Sequence, residues 1–381
     1  MTHVIVIGGG IAGLTTAIAL QQKGLDVHVY EAASDLRPVG KGIWMPPNAM
    51  LALQRLALDK VVAQKGVQIE RLELHDDDDG LLNVIELARM RATFGHTTTA
   101  LHRADLHQAL MAHIRPTMLH LGKRCIGMSP RNNDIAAHFA DGTTVRGDLL
   151  VGADGINSVI RQVLFPNVQL RYSGQSCYRG IARIQLPASL HHVAWEVWGS
   201  EHRFGFSAIA PDQVYWYAPF TAPLGAKLTS DHALTALTNN YATFPDPIPA
   251  IIQHTVADEI ITTDLYDLAP LQPLYQGRVV LVGDAAHAMT PNLGQGGAQA
   301  IEDAIVLADQ LARCATLTKA LSTYERLRLP RVRRIAQSAR MYGRLAHLQH
   351  SWWRRWRNLA IKAMPAWLNQ NQMNWLFALR Y

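Results

Sequence analysis

Cysteine is scarce in this chain, at three residues, and Cys125, Cys177 and Cys314 form no close pair. That excludes a disulfide-stapled scaffold and a cysteine-rich zinc cluster. An odd count without a secretory segment predicts reduced thiols in the cytoplasm. No apolar run reaches the roughly eighteen residues that mark a membrane span, and Val4 to Ile7 is too short for a signal-peptide core. The sequence therefore predicts a soluble protein. Charged residues make up 17% and hydrophobic ones 49% of the 381 positions, which supports one large core or two intimately joined domains and excludes a disordered or fibrous chain. Internal repeats and low-complexity linkers are missing as well.

Acid is missing from one end. After Glu325 there are twelve Arg or Lys residues and no Asp or Glu, leaving 24 basic against 30 acidic residues up to and including it. The formal charge of +6 thus hides an acidic body and a strongly basic tail. In the tail Trp352, Trp356, Leu359 and Ala363 recur at helical spacing, with Arg354, Arg355, Asn358 and Lys362 largely opposite, until Pro365 interrupts. Five of the nine tryptophans lie here, at Trp352, Trp353, Trp356, Trp367 and Trp375. Two readings stand open. Such a helix can lie as a weak peripheral contact on an anionic membrane surface. Alternatively the tail packs on the acidic body, with its tryptophans buried and its arginines paired across the seam. No groove-reading motif or aromatic platform accompanies the arginines, so nucleic acid is not an expected partner.

Three glycine-bearing motifs carry the chemistry. In the first, an apolar run from Val4 to Ile7 leads into Gly8-x-Gly10-x-x-Gly13, then a helical stretch from Leu14 to Lys23 and a second strand ending at Glu31. Gly8 permits a tight turn, Gly10 a close approach of backbone to a pyrophosphate, and Gly13 the packing of helix on strand; an acid about twenty residues on binds ribose hydroxyls. The second motif, Asp148 to Ser158 followed by Arg161, reads as a buried parallel strand that breaks at Asp154-Gly155 into a helix. In the third, Arg278 to Val282 is a short buried strand, Gly283-Asp284 ends it, and Thr290-Pro291-Asn292-Leu293-Gly294-Gln295-Gly296-Gly297 feeds a helix from about Ala298 to Leu311. Backbone N–H groups converging at that helix start favour developing negative charge, such as that on the pyrimidine edge of a reduced isoalloxazine. One helix end contributes about 0.3–1 kcal/mol when exposed and up to about 2 kcal/mol when partly buried.

Together GGGIAG with Glu31, DLLVGADGINSVIR and GDAAHAMTPNLGQGGAQAIEDA resemble the class A flavoprotein monooxygenases of the para-hydroxybenzoate hydroxylase fold, over about residues 1 to 340. Arg37-Pro38-Val39-Gly40-Lys41-Gly42-Ile43, Pro47-Asn48-Ala49 and Leu101 to Leu106 agree with that likeness. The wording of Glu196-Val197-Trp198-Gly199 and of the third motif is similar to quinolone hydroxylases, with urate and salicylate hydroxylases also alike. The resemblance implies an α/β fold: a Rossmann-like FAD-binding domain, an interleaved, mainly antiparallel substrate sheet, and C-terminal helices. It implies FAD contacts at Gly8, Gly10, Ile11, Ala12, Gly13, Glu31, Lys41, Gly42, Arg103, Cys125, Asp154, Gly155, Asp284, Pro291, Gly294, Gln295, Gly296 and Gly297. Arg103 would lie near the pyrophosphate and Asp284 on the ribityl chain, while Asp154-Gly155 would serve both FAD and NAD(P)H. It also implies NADPH or NADH and O2 as co-substrates, and oxygen transfer through a flavin hydroperoxide to a small aromatic or N-heteroaromatic ring. The absence of a second Gly-x-Gly-x-x-Gly unit accords with a family that binds NAD(P)H without a separate fold. Related flavin chemistry (reduction, epoxidation or drug inactivation) and a non-catalytic flavin-binding or membrane-recruitment role remain as alternatives, distinguished by whether oxygen enters the product.

Composition and turn signals divide the chain. Residues 1–70, 98–171 and 268–330 are expected in the FAD domain, 71–97 and 172–267 in the substrate sheet, and 331–381 in basic C-terminal helices, with Pro330 marking a break. Asp141-Gly142 signals a hairpin. Asp76-Asp77-Asp78-Asp79-Gly80 reads as a solvated hairpin tip, and no metal site is expected. Strands are expected at Val193 to Val197, Phe204 to Ile209 and Val214 to Tyr217. In that region Arg203 is expected to hold an anionic oxygen or ring carbonyl and Tyr215 to stack or hydrogen-bond, as an Arg and a Tyr do at matching places in the similar urate hydroxylases. Trp195, Trp198, Phe206, Trp216 and Tyr217 supply aromatic area, about half of it facing away. His287 is expected to be structural.

Overall fold

The computed structural model describes residues 3–35, 40–78, 80–225 and 230–379, so Arg37, Pro38, Val39 and Asp79 of the segments above lie outside the described residues. A six-stranded sheet has the order β18-β19-β12-β1-β2-β8, built from β1 (His3–Ile7), β2 (Asp26–Tyr30), β8 (Leu119–His120), β12 (Leu149–Gly152), β18 (Tyr275–Gln276) and β19 (Val279–Leu281). Its strands run parallel except at the β18 edge. Val4, Ile5, Val6, Leu149, Leu150, Val151, Val280 and Leu281 are fully buried. Continuous apolar runs of this kind belong to parallel strands covered on both faces.

Registers align Ile7 with Gly152 and Gly152 with Leu281, so β1, β12 and β19 end level with one another. The three glycine motifs therefore leave the same edge of the sheet, at the carboxyl ends of adjacent parallel strands, where open α/β sheets bind ligands. Helix α1 (Ile11–Gln22) follows the first motif, α6 (Val159–Leu164) the second, and α9 (Asp284–His287) with α10 (Gly296–Arg313) the third. Around them pack α2 (Pro47–Arg55), α3 (Asp59–Gln64), α4 (Ala88–Phe94) and α5 (Arg103–Met111). Two small sheets flank this body. One contains β3 (Gly42–Met45), β4 (Val67–Ile69) and β7 (Thr98–His102); the other contains β9 (Cys125–Pro130), β10 (Ile135–Phe139) and β11 (Thr144–Gly147). The β10–β11 turn carries Gly142 at φ +83°, as the Asp-Gly signal predicts.

The second large sheet has seven strands in the order β17-β13-β16-β15-β14-β5-β6. They are β5 (Arg71–Asp76), β6 (Leu81–Glu86), β13 (Leu170–Arg183), β14 (Val193–Trp198), β15 (Arg203–Ala210), β16 (Gln213–Thr221) and β17 (Ile261–Leu268). Only the β14–β5 pair is parallel. Register puts Trp195, Phe206 and Trp216 on one face, toward α7 (Ser230–Asn240) and α8 (Ile248–Gln253), and Glu196, Trp198, Arg203, Ser207, Tyr215, Tyr217 and Arg179 on the other.

Helix α11 (Leu317–Ala346) runs unbroken through Pro330, contrary to the expected break. Proline removes one N–H and frees the carbonyl four residues earlier. That residue, Arg326, is exposed like Pro330 itself, so water can take the freed carbonyl. Within the same turn, Arg328 before the proline and Arg331 after it anchor the helix to the buried Glu302. Helices α12 (Ser351–Lys362) and α13 (Ala366–Phe377) complete the chain. The tail arginines do pair with the acidic turn, Arg354 with Asp77 at 2.5 Å, but Trp352, Trp353, Trp356 and Trp367 are exposed rather than buried. Among the described residues no helix is long and apolar enough to cross a membrane.

Candidate active site

The first motif is held by sterics. Gly8 sits at φ +108°, and a Cβ there would lie 2.5 Å from the Ala153 carbonyl oxygen. A Cβ on Gly13 would stand 1.8 Å from the Gly8 oxygen, which is why α1 can pack directly on the strand end. Gly10 differs: its Cβ would meet nothing within 4 Å. Gly10 is the N-cap of α1 and supplies no side-chain cap, and no acid occupies the first turn. Free N–H groups and open space at one point form an anion cradle. Beside it Glu31 accepts hydrogen bonds from Gly9 N at 2.6 Å and Ala33 N at 2.8 Å. Ile11 is buried against the core, and the Ala12 methyl lies against Gly283.

The third motif meets the first at Gly283, where an added Cβ would be 2.8 Å from Ala12 Cβ and 3.2 Å from Ala300 Cβ. The next residue, Asp284, reaches solvent. Its surroundings are crowded enough that desolvation raises its pKa, opposed by the charges of His287, Arg103 and Arg161. An exposed carboxylate facing cations can accept hydrogen bonds from a polyhydroxyl chain. Arg103, exposed at the start of α5, donates its backbone N–H to Lys41 O at 2.8 Å and lies against Gly40. Lys41 itself turns away, its Nζ 3.6 Å from Glu259.

Pro291 opens a single tight turn that ends at Gly294, in the left-handed region at φ +61°. Gln295 caps α10 without a side-chain bond, so this second helix start is also unsealed. The Gln295 side chain is almost fully buried, where it accepts from Asn48 and Gln299 at 3.0 Å. Gly296 lies beside Asp284, and Gly297 packs on Ile43 and Met45 of β3. Beneath the loop Glu302 and Asp303 bind Arg328, with Arg331 also on Glu302. His287 is 2.6 Å from Asp303. Burial works to raise the Asp303 carboxyl, but the charges of His287 and Arg328 prevail and hold it at about 2. His287 thus serves the scaffold, as expected.

Two expected cofactor contacts are occupied otherwise. The Asp154 carboxylate caps α6, accepting from Ser158 Oγ, Val159 N and Ile160 N, so that Gly155, with open space at its Cβ, is the exposed part of that corner. Cys125 is buried, and desolvation pushes its thiol up to about 11, so its side chain is a neutral wall.

The inner face of the seven-stranded sheet completes the site. Gly42 of β3 lies so near that a Cβ would be 2.1 Å from the Tyr215 ring, and Trp44 donates from Nε1 to Ser207 Oγ at 2.9 Å. The strand leading to the first small sheet therefore presses Tyr215 into place. Tyr215 is half-buried, and desolvation, partly offset by Arg179, pushes its phenol up to about 12. Arg203 departs from its expected role as an anion holder. It is 1% exposed, donates from Nε and Nη2 to Glu196 at 2.9 and 2.5 Å, and donates from Nη1 to Asn292 Oδ1 at 2.8 Å. Glu196 also accepts from Trp198 Nε1 and Tyr217 Oη. A guanidinium this committed braces the sheet against the loop. Sequence reasoning missed Arg179, which faces Tyr215 and Tyr217 from β13, is partly exposed, and has no carboxylate partner among the described residues. Its signal was an Arg held between the buried strand residues Tyr178 and Gly180.

Comparison with known proteins places this geometry. A family model described as FAD binding domain matches residues 1–339. The chain is 36% identical over 348 residues to the aurachin C monooxygenase/isomerase of Stigmatella aurantiaca, covering 91% of this chain and 90% of that protein. It is 34% identical over 370 residues to the 2-heptyl-3-hydroxy-4(1H)-quinolone synthase of Pseudomonas aeruginosa, covering 95% and 94%. The structure of Klebsiella pneumoniae HpxO complexed with FAD and uric acid superposes with a TM-score of 0.92 at 26% identity, over 99% of this chain and 96% of that one.

Proposed function

Because this chain belongs to the FAD-binding domain family of FAD-dependent aromatic and heteroaromatic monooxygenases, we infer that it hydroxylates an N-heteroaromatic ring of the quinolone type, in a single component, at the expense of NAD(P)H and O2. The observation that carries the reading is the grouping, at one inner face, of the aromatic side chains of Tyr215 and Tyr217, and of Trp44 packed on them, with Arg179, which has no carboxylate partner among the described residues. The name of one relative at 34% identity, a 2-heptyl-3-hydroxy-4(1H)-quinolone synthase, supports the ring class.

The residues present fit FAD. Two helix starts without side-chain caps, at Gly10 after β1 and at Gln295 in the third motif, accompany Glu31, Asp284 and Arg103. When bound, FAD supplies the redox chemistry by which NAD(P)H and one O2 yield a hydroxylated ring, NAD(P)+ and water. The α1 start and Arg103 hold the pyrophosphate, Glu31 the adenosine ribose, and Asp284 the ribityl chain. The N–H groups of Gly296 and Gly297 face the pyrimidine edge and favour negative charge there.

Substrate handling falls to the sheet. A phenol pushed up to about 12 stays protonated at physiological pH, so Tyr215 donates a hydrogen bond to a ring oxygen. Arg179 places positive charge beside the same oxygen and stabilises the enolate form, which makes the adjacent ring carbon more nucleophilic. Trp44 and Tyr217 fix the ring plane and exclude water. The division at residues 71–97 and 172–267 into a substrate unit, and residence in the cytoplasm, belong to this same reading. Titrating the FAD-loaded protein with a 2-alkyl-4(1H)-quinolone tests it: a saturable change in flavin absorbance that Arg179→Ala weakens supports the assignment, and an unchanged spectrum at millimolar ligand opposes it.

A further inference from the structure

Helix α12 is built inside out. A surface helix ordinarily buries its apolar stripe and shows its charges to water. Here Arg354, Arg357, Asn358 and Ile361 face the body. Arg354 binds Asp77 and Asn358 donates to Asp76, each at 2.5 Å. Arg357 is buried, stacks 4.9 Å from the Trp198 ring, and donates to the carbonyls of Leu345 and Ala346. The opposite face carries Trp352, Trp353, Trp356 and Leu359, exposed by 59%, 55%, 55% and 58%. At 100° per residue, Trp352, Trp356, Leu359 and Ala363 form the outermost stripe, with Arg355 and Lys362 along one flank. Trp367, 65% exposed, follows in the first turn of α13.

We propose that this tryptophan face is a docking surface for an anionic lipid bilayer, on which α12 lies parallel to the interface. Three observations select that occupant. Tryptophan, with an apolar body and one polar N–H, favours the headgroup level of a bilayer over a dry protein core. The surrounding chain has no acid after Glu325, so its charge complements anionic headgroups. A second copy of the chain would instead bring two such basic tails together, and like charge opposes that contact. The polar side of the helix is turned toward Asp76, Asp77 and backbone carbonyls, so docking covers the tryptophan face and leaves those hydrogen bonds in place. Since no described helix is long and apolar enough to span, the contact is interfacial.

The test is flotation of the FAD-loaded full chain with phosphatidylglycerol/phosphatidylethanolamine vesicles, with phosphatidylcholine vesicles in parallel, at low and high salt. Light scattering after gel filtration gives the oligomeric state. The expected result is binding to the anionic vesicles, loss of binding in high salt and on phosphatidylcholine, and a drop of at least about tenfold in the vesicle-bound to free ratio for Trp352→Ser/Trp356→Ser/Leu359→Ser. These side chains lie outside the cofactor site, so flavin content and melting temperature should stay at wild-type values and separate lost docking from lost folding. The charge variant Arg355→Glu/Lys362→Glu should weaken binding to anionic vesicles as well. Failure to float at low salt overturns the proposal, as does flotation that the triple variant leaves unchanged. A wild-type dimer that does not float and that the same substitutions dissociate assigns the face to a second copy and also overturns it.

Discussion

Arg203 Nη1 donates to Asn292 Oδ1 at 2.8 Å, so the inner face of the seven-stranded sheet is hydrogen-bonded directly to the loop that leads into α10. Asn292 is gripped from the other side as well, donating to Thr290 Oγ1 and to the Ala339 carbonyl at 3.0 Å. The loop that leads into α10 is therefore braced by the sheet and by α11 together.

Removing Arg203 should cost more than that bond. Arg203→Ala leaves the Glu196 carboxylate buried without its cation, a change worth about 3–5 kcal/mol in comparable buried pairs. Urea unfolding of the FAD-loaded protein should show it, and Glu196→Gln in the same chain should recover part of the loss. Wild-type stability in the single variant would mean that the pair is not buried as described.

Gly10 and Gly13 should fail in different ways. An added side chain at Gly10 has room in the protein but occupies the anion cradle, so Gly10→Val should fold, melt near the apoprotein value and carry no FAD. Gly13→Ala drives a methyl into the Gly8 oxygen and should lower the melting temperature even without cofactor. Flavin absorbance and calorimetry on both apoproteins separate the two. Full flavin content in Gly10→Val would contradict the placement of the pyrophosphate.

Tyr215 and Arg179 should act on the substrate to different degrees. A neutral hydrogen bond contributes about 0.5–1.5 kcal/mol, so Tyr215→Phe should raise KM about 2- to 10-fold. A contact from a cation contributes about 1.5–3 kcal/mol, so Arg179→Ala should raise it about 10- to 150-fold. Because the Tyr215 phenol is pushed up to about 12, its ionisation should leave no mark on the pH profile of kcat/KM below about pH 10.

Asp303 carries a pH signature. Its folded value of about 2 lies below the ordinary 3.8, so it adds stability above about pH 4 that drains away as pH falls toward 2, about 2 kcal/mol in all. The stability gap between wild type and Asp303→Asn should accordingly shrink by about 1 kcal/mol between pH 6 and pH 3 in urea unfolding. A gap independent of pH would contradict the ion pairs with His287 and Arg328.

What the sequence disclosed was the set of positions with no steric alternative. Gly8 and Gly13 admit no Cβ, and such constraints repeat wherever the same turn is built. Three strands of the seven-stranded sheet, β14, β15 and β16, were legible from their alternation, and with them the placing of about half their aromatic side chains on the far face. Partners were not legible. Alternation places Arg203 on the inner face, yet nothing local says that Glu196, seven residues earlier, and Asn292, far along the chain, will consume it. Arg179 escaped notice for the converse reason, since its importance lies in the absence of a carboxylate rather than in any pattern. Pro330 misled because the cost of an interior proline depends on whether water can reach the freed carbonyl, which only the packed helix decides.

The most direct test of the account is oxygen incorporation. The FAD-loaded protein, supplied in turn with NADH and NADPH under 18O2, should be challenged with a 2-alkyl-4(1H)-quinolone, urate, salicylate and simple phenols, with products read by mass spectrometry. The account predicts quinolone-stimulated consumption of one nicotinamide cofactor and a product carrying one 18O atom. Stimulated consumption with only hydrogen peroxide formed, or oxygenation of another ring class with the quinolone inert, would contradict the substrate assignment; a reduced product free of 18O would contradict the monooxygenase reaction itself.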